Sequence, residues 1–150
     1  MLAVGDRAPD FVRHDHKGRT LDTAKLREEG PLVVYFYPRD FTPGCTKEAC
    51  LFRDAFDELS GSRATIIGVS VDDDASHAKF AERYRLPFSL VADPDRDLAK
   101  RFGIMRAFGL LGARRVTFVI DRDGRVKSAL HAELSMDAHL TGVRESLASL

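Results

Sequence analysis

Residues 32–50 read Leu32-Val33-Val34-Tyr35-Phe36-Tyr37-Pro38-Arg39-Asp40-Phe41-Thr42-Pro43-Gly44-Cys45-Thr46-Lys47-Glu48-Ala49-Cys50. The run Leu32–Tyr37 is apolar on both faces, the pattern of a central strand covered on both sides. Pro43 suits the first position of a helix, which makes Thr42 its N-cap. Cys50, Phe52, Phe56 and Leu59 then recur at near-helical spacing, so a helix is expected from Pro43 to about Leu59. A buried strand that passes through a five-residue loop into a helix is the building unit of an α/β domain.

The rest of the chain continues the alternation. Residues 11–14 and 19–21 pattern as an N-terminal β-hairpin around Lys17-Gly18, followed by a helix at Thr23–Glu29. Ala64–Val71 is a second buried strand, Ser76–Tyr84 an amphipathic helix, Phe88–Val91 a short strand and Arg96–Phe102 a short helix. Arg115–Asp121 and Arg125–His131 form two strands joined by Arg122-Asp123-Gly124, a good hairpin turn because glycine tolerates positive φ. A last helix starts near Ser135 and runs to the C-terminus. This order predicts an α/β fold, a central mixed β-sheet with helices on both faces. It is compatible with a thioredoxin-like fold, and periodicity alone also permits a flavodoxin-like sheet.

Composition narrows the function. The 150 residues carry 23 basic and 23 acidic side chains and are 44% hydrophobic, which fits one domain spanning 1–150. The longest apolar run has six residues, far short of the roughly 20 a membrane span needs. The N-terminal segment lacks the apolar core of a signal peptide, so a soluble, cytoplasmic protein is expected. Zero net charge argues against nucleic acid as a partner. Arg101–Lys127 carries seven bases against two acids, read as solvated loop and hairpin positions.

Several motifs fail. There is no Gly-x-Gly-x-x-Gly, no phosphate-binding Gly-Lys-Ser/Thr and no His-Glu-x-x-His. Asp93-Pro94-Asp95-Arg96-Asp97 starts like a calcium loop but has Leu98 where the turn needs glycine. His14-Asp15-His16 reads as a solvated turn. His77, His131 and His139 show no spacing that ties them to the cysteines.

The chemistry concentrates at Cys45 and Cys50, the chain's two cysteines. In a reducing compartment so close a pair is more often catalytic or metal-binding than structural. Cys45 falls in the first turn after Thr42, where free backbone N–H groups and the positive end of the helix dipole favour a thiolate. Thr42's hydroxyl, within one turn, can donate to the sulfur. This builds an activated nucleophile without a general base. Cys50 lies five residues on, which in an ideal helix separates the Cα atoms by roughly 8–9 Å. A disulfide spans at most about 7 Å, so the pair can join only if the helix unwinds.

Pro38-x-x-x-Thr42-x-x-Cys45 resembles the active-site signature of the peroxiredoxins, and Cys50 extends the likeness to the peroxiredoxin Q subfamily, also called bacterioferritin comigratory protein. Gly5-Asp6-x-Ala8-Pro9-Asp10-Phe11, Ile67-Gly68-Val69-Ser70-x-Asp72 and Arg115-x-Thr117-Phe118-x-Ile120-Asp121 resemble further segments of that family, in the right order. The resemblance implies a thioredoxin-like fold and a thiol peroxidase acting on hydrogen peroxide and organic hydroperoxides, with no metal or organic cofactor. It implies Cys45 as the peroxidatic cysteine, Thr42 as hydrogen-bond partner of thiolate and peroxide, Arg115 as the fixed cation, and Pro38 as a shield against water. Cys50 would be the resolving cysteine, closing an intramolecular disulfide that thioredoxin or a similar dithiol reductant reopens. Strand alternation sends Arg114 and Arg115 to opposite faces, and the motif register selects Arg115. Glu48 reads as a first-turn acid favoured by the dipole, with a supporting hydrogen bond to an active-site arginine left open by the sequence.

Some features depart from better-known members. The chain has no tryptophan, Ile104-Met105-Arg106-Ala107-Phe108 lacks the aromatic residue expected near Met105, and there is no Gly-Gly-Leu-Gly loop or C-terminal Tyr-Phe extension. These absences point to a monomer. Two rivals stay open: a thioredoxin-fold dithiol–disulfide oxidoreductase without peroxidase activity, and a zinc-binding domain using both cysteines and a histidine.

Overall fold

The strand Leu32–Phe36 (β3) is buried along its whole length and lies at the centre of a five-stranded sheet. The computed structural model describes residues 1–105 and 114–150. Preceding β3 are β1 (Val12–His14), β2 (Thr20–Asp22) and α1 (Thr23–Glu29). After it come α2 (Pro43–Asp54), α3 (Phe56–Ser60), β4 (Thr65–Ser70), α4 (Asp74–Tyr84), β5 (Ser89–Ala92), α5 (Asp97–Arg101), β6 (Val116–Ile120), β7 (Val126–His131) and α6 (Met136–Ala148). The sheet order is β5-β4-β3-β6-β7, with β4 and β5 parallel to the central strand and β6 antiparallel to it. The hairpin β1–β2 forms a separate two-stranded sheet.

Alternation along β3 divides the core into two layers. Val33, Tyr35 and Tyr37 pack with Ala49 and Phe52 of α2, Phe80 of α4 and Val143 of α6. Leu32, Val34 and Phe36 pack with Phe11, Leu98 of α5, Phe102 and Phe118 on the other face. The mixed sheet, the helices on both faces and the N-terminal hairpin are as expected. Among the described residues no helix is long and apolar enough to cross a membrane.

Two expectations differ. The helix expected from Pro43 to about Leu59 breaks at Ala55, whose backbone (φ −93°, ψ 3°) departs from helical dihedrals although its N–H still reaches the Leu51 carbonyl. Ala55 and Leu59 are both buried, so the apolar spacing survives the break, and spacing alone cannot report it. His14-Asp15-His16 is not a solvated turn. Asp15 is fully buried, accepts the N–H groups of Lys17 and Arg19, and accepts the Ser89 hydroxyl from β5. A short carboxylate that caps its own turn can be buried because its oxygens are all bonded. Asp93 likewise accepts the N–H groups of Leu98 and Ala99 at the start of α5. Arg106 to Phe108, part of the departure noted near Met105, lie outside the described residues.

One close approach sets a limit on substitution. A Cβ on Gly68 would stand 2.8 Å from Leu90 Cδ2 and 2.9 Å from Tyr35 Cζ and Oη, inside van der Waals contact. Gly68→Ala is therefore expected to destabilise the domain by about 1–3 kcal/mol. Urea unfolding checks this, and an unchanged midpoint would show that the Tyr35 ring yields freely.

Candidate active site

The sheet register brings the site together. Phe36 of β3 pairs with Val116 of β6, and the two strands run antiparallel. The residues that follow β3 therefore meet those that precede β6 at one end of the sheet, so the loop 38–42 and Arg115 converge although they are more than 70 residues apart. Thr42 is the N-cap of α2, Pro43 begins the helix, and Cys45 sits in its first turn, 1% exposed.

Arg115 turns inward and is 5% exposed. Its Nη2 stands 3.2 Å from Cys45 Sγ and its Nη1 donates to Glu48 Oε1 at 2.9 Å. The two recipients lie one helical turn apart on α2, so one guanidinium serves both through its two terminal nitrogens. The arrangement needs a bare backbone at Gly44, where a Cβ would stand 3.2 Å from Arg115 Nη2. Burial acts against the Arg115 cation, but Glu48 and Cys45 outweigh it and hold its pKa above the ordinary value. Glu48 is fully buried; desolvation, opposed by Arg115 and assisted by Glu133, pushes its carboxyl up to about 7.

Behind Glu48 lies His139 of α6, fully buried, with Nδ1 3.6 Å from Glu48 Oε2. His139 Nε2 is 2.7 Å from the Ala132 carbonyl and Nδ1 is 2.8 Å from Thr117 Oγ1. A neutral ring that donates from Nε2 accepts the threonine hydroxyl at Nδ1. Five buried side-chain polar atoms of the described residues lack a hydrogen-bond partner, and three belong to this site: Tyr35 Oη, Glu48 Oε2 and Arg115 Nε. Charge and protons are thus least settled around Cys45.

The loop before the helix is tied down by Asp40. Its carboxylate accepts the hydroxyls of Tyr37 and Ser76 and lies 2.8 Å from His77 Nδ1, while its N–H donates to Asp72 at 2.8 Å. Asp40, Asp72 and His77 place donor atoms within 4.8 Å of one another, the kind of group that can hold a metal ion. Hydroxyls and an N–H already engage these carboxylates, so their observed role is a knot joining the loop to β4 and α4. Held by it, Phe41 adopts φ +65°, an unfavourable region for a bulky residue, and packs edge-on against Phe80.

Of the five residues singled out from sequence, Cys45 and Arg115 meet directly. Thr42 takes the N-cap position, but its hydroxyl donates to the Arg39 carbonyl at 3.0 Å rather than capping α2. The hydroxyl's one proton goes to that carbonyl, three residues back in the same turn, and so is not given to the Cys45 sulfur as expected. Pro38 is half-buried just past Tyr37, and Cys50 is half-buried further along α2. Both cysteines are free thiols. The sequence reading makes Glu48 a first-turn acid and His139 an unconnected histidine; Glu48 lies beyond the first turn of α2, and there it makes the hydrogen bond to Arg115 that the sequence leaves open. A signal existed for each: Glu48 follows Cys45 by one helical turn, and His139 interrupts the apolar stripe Met136, Leu140, Val143, Leu147.

With this geometry in view, comparison with known proteins is direct. The model of the AhpC/TSA family matches residues 4–129. A chloroplastic peroxiredoxin Q from Populus jackii is 40% identical over 147 residues, covering 97% of this chain and 68% of its own. The crystal structure of peroxidoxin BcpB from Mycobacterium tuberculosis superposes with a TM-score of 0.93 at 39% identity, over 100% of this chain and 99% of that one. The bacterioferritin comigratory protein of Xanthomonas campestris gives 0.83 at 30% identity, covering 93% and 90%.

Proposed function

The chain belongs to the AhpC/TSA family and is a thiol peroxidase of the peroxiredoxin Q group, and on that premise we propose that Cys45 is the sulfur that meets the peroxide. The observation that carries this reading is the Arg115 guanidinium 3.2 Å from a buried Cys45 at the start of α2. A fixed cation there stabilises the thiolate and the charge that moves onto the departing oxygen. The thiolate attacks one peroxide oxygen, the S–O bond forms as the O–O bond breaks, and the displaced alkoxide or hydroxide takes up a proton. Thr42 exchanges its bond to Arg39 for one to the sulfur or the peroxide, and Pro38 keeps water from the sulfur.

Cys50 then attacks the Cys45 sulfenic acid, giving an intramolecular disulfide and releasing water. Both cysteines lie on one continuous helix, so this step requires α2 to open. Thioredoxin or a similar dithiol reductant restores both thiols by exchange and is itself oxidised to a disulfide. The related Xanthomonas protein is described as reducing alkyl peroxides, which supports organic hydroperoxides as substrates alongside hydrogen peroxide. The unit that acts is a monomer, consistent with a site assembled within one chain. Two free thiols favour the reducing cytoplasm, although the plant relatives are named as chloroplastic.

The test is a thiol titration around one equivalent of hydrogen peroxide. The unsubstituted protein should lose two thiols per peroxide. Cys50→Ser should still consume one equivalent but stop at a trappable sulfenic acid, with later turnovers slowed at least about tenfold for want of an internal resolving thiol. Turnover with the dithiol reductant undiminished in Cys50→Ser would remove Cys50 from the scheme.

A further inference from the structure

Arg115 is one cation facing two buried groups that can each be an anion. Its Nη2 serves Cys45 and its Nη1 serves Glu48, and both recipients are essentially inaccessible to water. Two buried negative charges on one guanidinium would leave an uncompensated charge, an arrangement that proteins avoid by holding a proton. The geometry around Glu48 shows where that proton fits. Oε1 is occupied by Arg115, whereas Oε2 is buried without a hydrogen-bond partner and stands 3.6 Å from His139 Nδ1. His139 donates from Nε2 to the Ala132 carbonyl, and its Nδ1 lone pair accepts the Thr117 hydroxyl, so the ring has no N–H to offer Oε2. A charged oxygen buried there has no donor to stabilise it, and a proton on Oε2 removes that charge.

We propose that Glu48 is the proton store of the site: a neutral acid, its proton on Oε2, while Cys45 is a thiolate, and a carboxylate once Cys45 is a sulfenic acid. Either way Arg115 faces one anion. The inference rests on Cys45 being the reacting thiolate, as proposed above. The step balances as thiolate, peroxide and Glu48 acid going to sulfenic acid, alcohol (or water) and Glu48 carboxylate. The S–O bond forms, the O–O bond breaks, and the proton the leaving oxygen needs equals the one Glu48 gives up. Glu48 touches Arg115 and not the peroxide, so Glu48 and His139 are positioning residues.

The groups around the pair agree with this placement. Burial, opposed by Arg115 and assisted by Glu133, holds Glu48 at about 7. A thiolate at Cys45 adds a second negative charge on the same guanidinium and lifts it further. Burial lowers the His139 pKa; the Ala132 carbonyl and Glu133 act against this, while Arg115 and His131 add to it. The proton therefore sits on the acid. Tyr35, whose buried hydroxyl is raised well above its ordinary value by burial and then by Glu48 and Cys45, stays neutral.

The test is infrared difference spectroscopy on Cys50→Ser, before and after one equivalent of hydrogen peroxide, near pH 8, with sulfenic acid quantified in the same samples. Oxidation should remove a protonated-carboxyl C=O band and add carboxylate bands, and neither change should occur when Glu48→Gln is added. Glutamine keeps the shape and its Oε1 can accept from Arg115 as Glu48 Oε1 does, so this variant is expected to fold. In reduced protein the band should titrate at least about one pH unit higher than in Cys45→Ser, where no thiolate presses on it. Absence of a Glu48-dependent band in reduced protein, a band that oxidation leaves unchanged, or equal midpoints with and without Cys45 would each overturn the proposal. Failure to form sulfenic acid at all would instead overturn the role of Cys45.

Discussion

Cys45→Ser is expected to lower the rate of peroxide consumption by at least about 10³-fold, the scale seen when a covalent nucleophile is removed. The serine hydroxyl is smaller and far less acidic, and Arg115 cannot make it an oxyanion near neutral pH. The fold should be unaffected, because Cys45 contributes only a small apolar body to a layer built by Tyr35, Tyr37, Ala49 and Phe52. Stopped-flow or dye-coupled peroxide decay, with circular dichroism as the control for folding, settles it. Residual turnover within tenfold of the unsubstituted protein would move the chemistry to Cys50.

Arg115→Lys is the second large effect, with an expected loss of about 10²–10³ in peroxide rate, the range for removing one preorganised donor from a developing charge. Lysine keeps the charge, but a single ammonium cannot reach Cys45 and Glu48 at once as the two Nη atoms do, at 3.2 and 2.9 Å. Arg115→Ala should instead drive Cys45 and Glu48 to their neutral forms and leave both buried without the donor they share, costing about 1–3 kcal/mol of stability. The pair of variants separates charge from geometry: if lysine retained the full rate, the fork would be irrelevant and a nearby point charge would suffice.

The parts of this site that were legible in the sequence are those written locally. The unbroken apolar run Leu32–Tyr37, followed after five residues by Pro43, announces a buried strand entering a helix, and strand alternation separates Arg115 from Arg114. The other half rests on contacts between distant segments. Glu48 and His139 meet because α2 and α6 pack on the same face of the sheet, and a lone glutamate after a cysteine does not reveal which helix will cover it. Asp40 looks like an ordinary loop acid until β4 and α4 bring Asp72, Ser76 and His77 around it. The break at Ala55 is invisible for a different reason: apolar spacing records which faces are buried, not whether every residue keeps helical dihedrals.

The knot at Asp40 also sets a clock. Upstream of α2 the chain is pegged to β4 and α4 through Asp40, and downstream Ala55 is buried in the core. The stretch that must open to join the cysteines is therefore on the order of ten residues and is held at both ends. Such a segment explores its closed arrangements in about 10–100 ns and regains helix within about 1 μs. Encounter with a second protein, at about 10⁵–10⁷ M⁻¹s⁻¹, takes on the order of a tenth of a second or longer at micromolar concentrations. On the proposed disulfide cycle, reassembly of the pocket is therefore complete long before a reductant arrives, so of these two steps the supply of electrons is the slower.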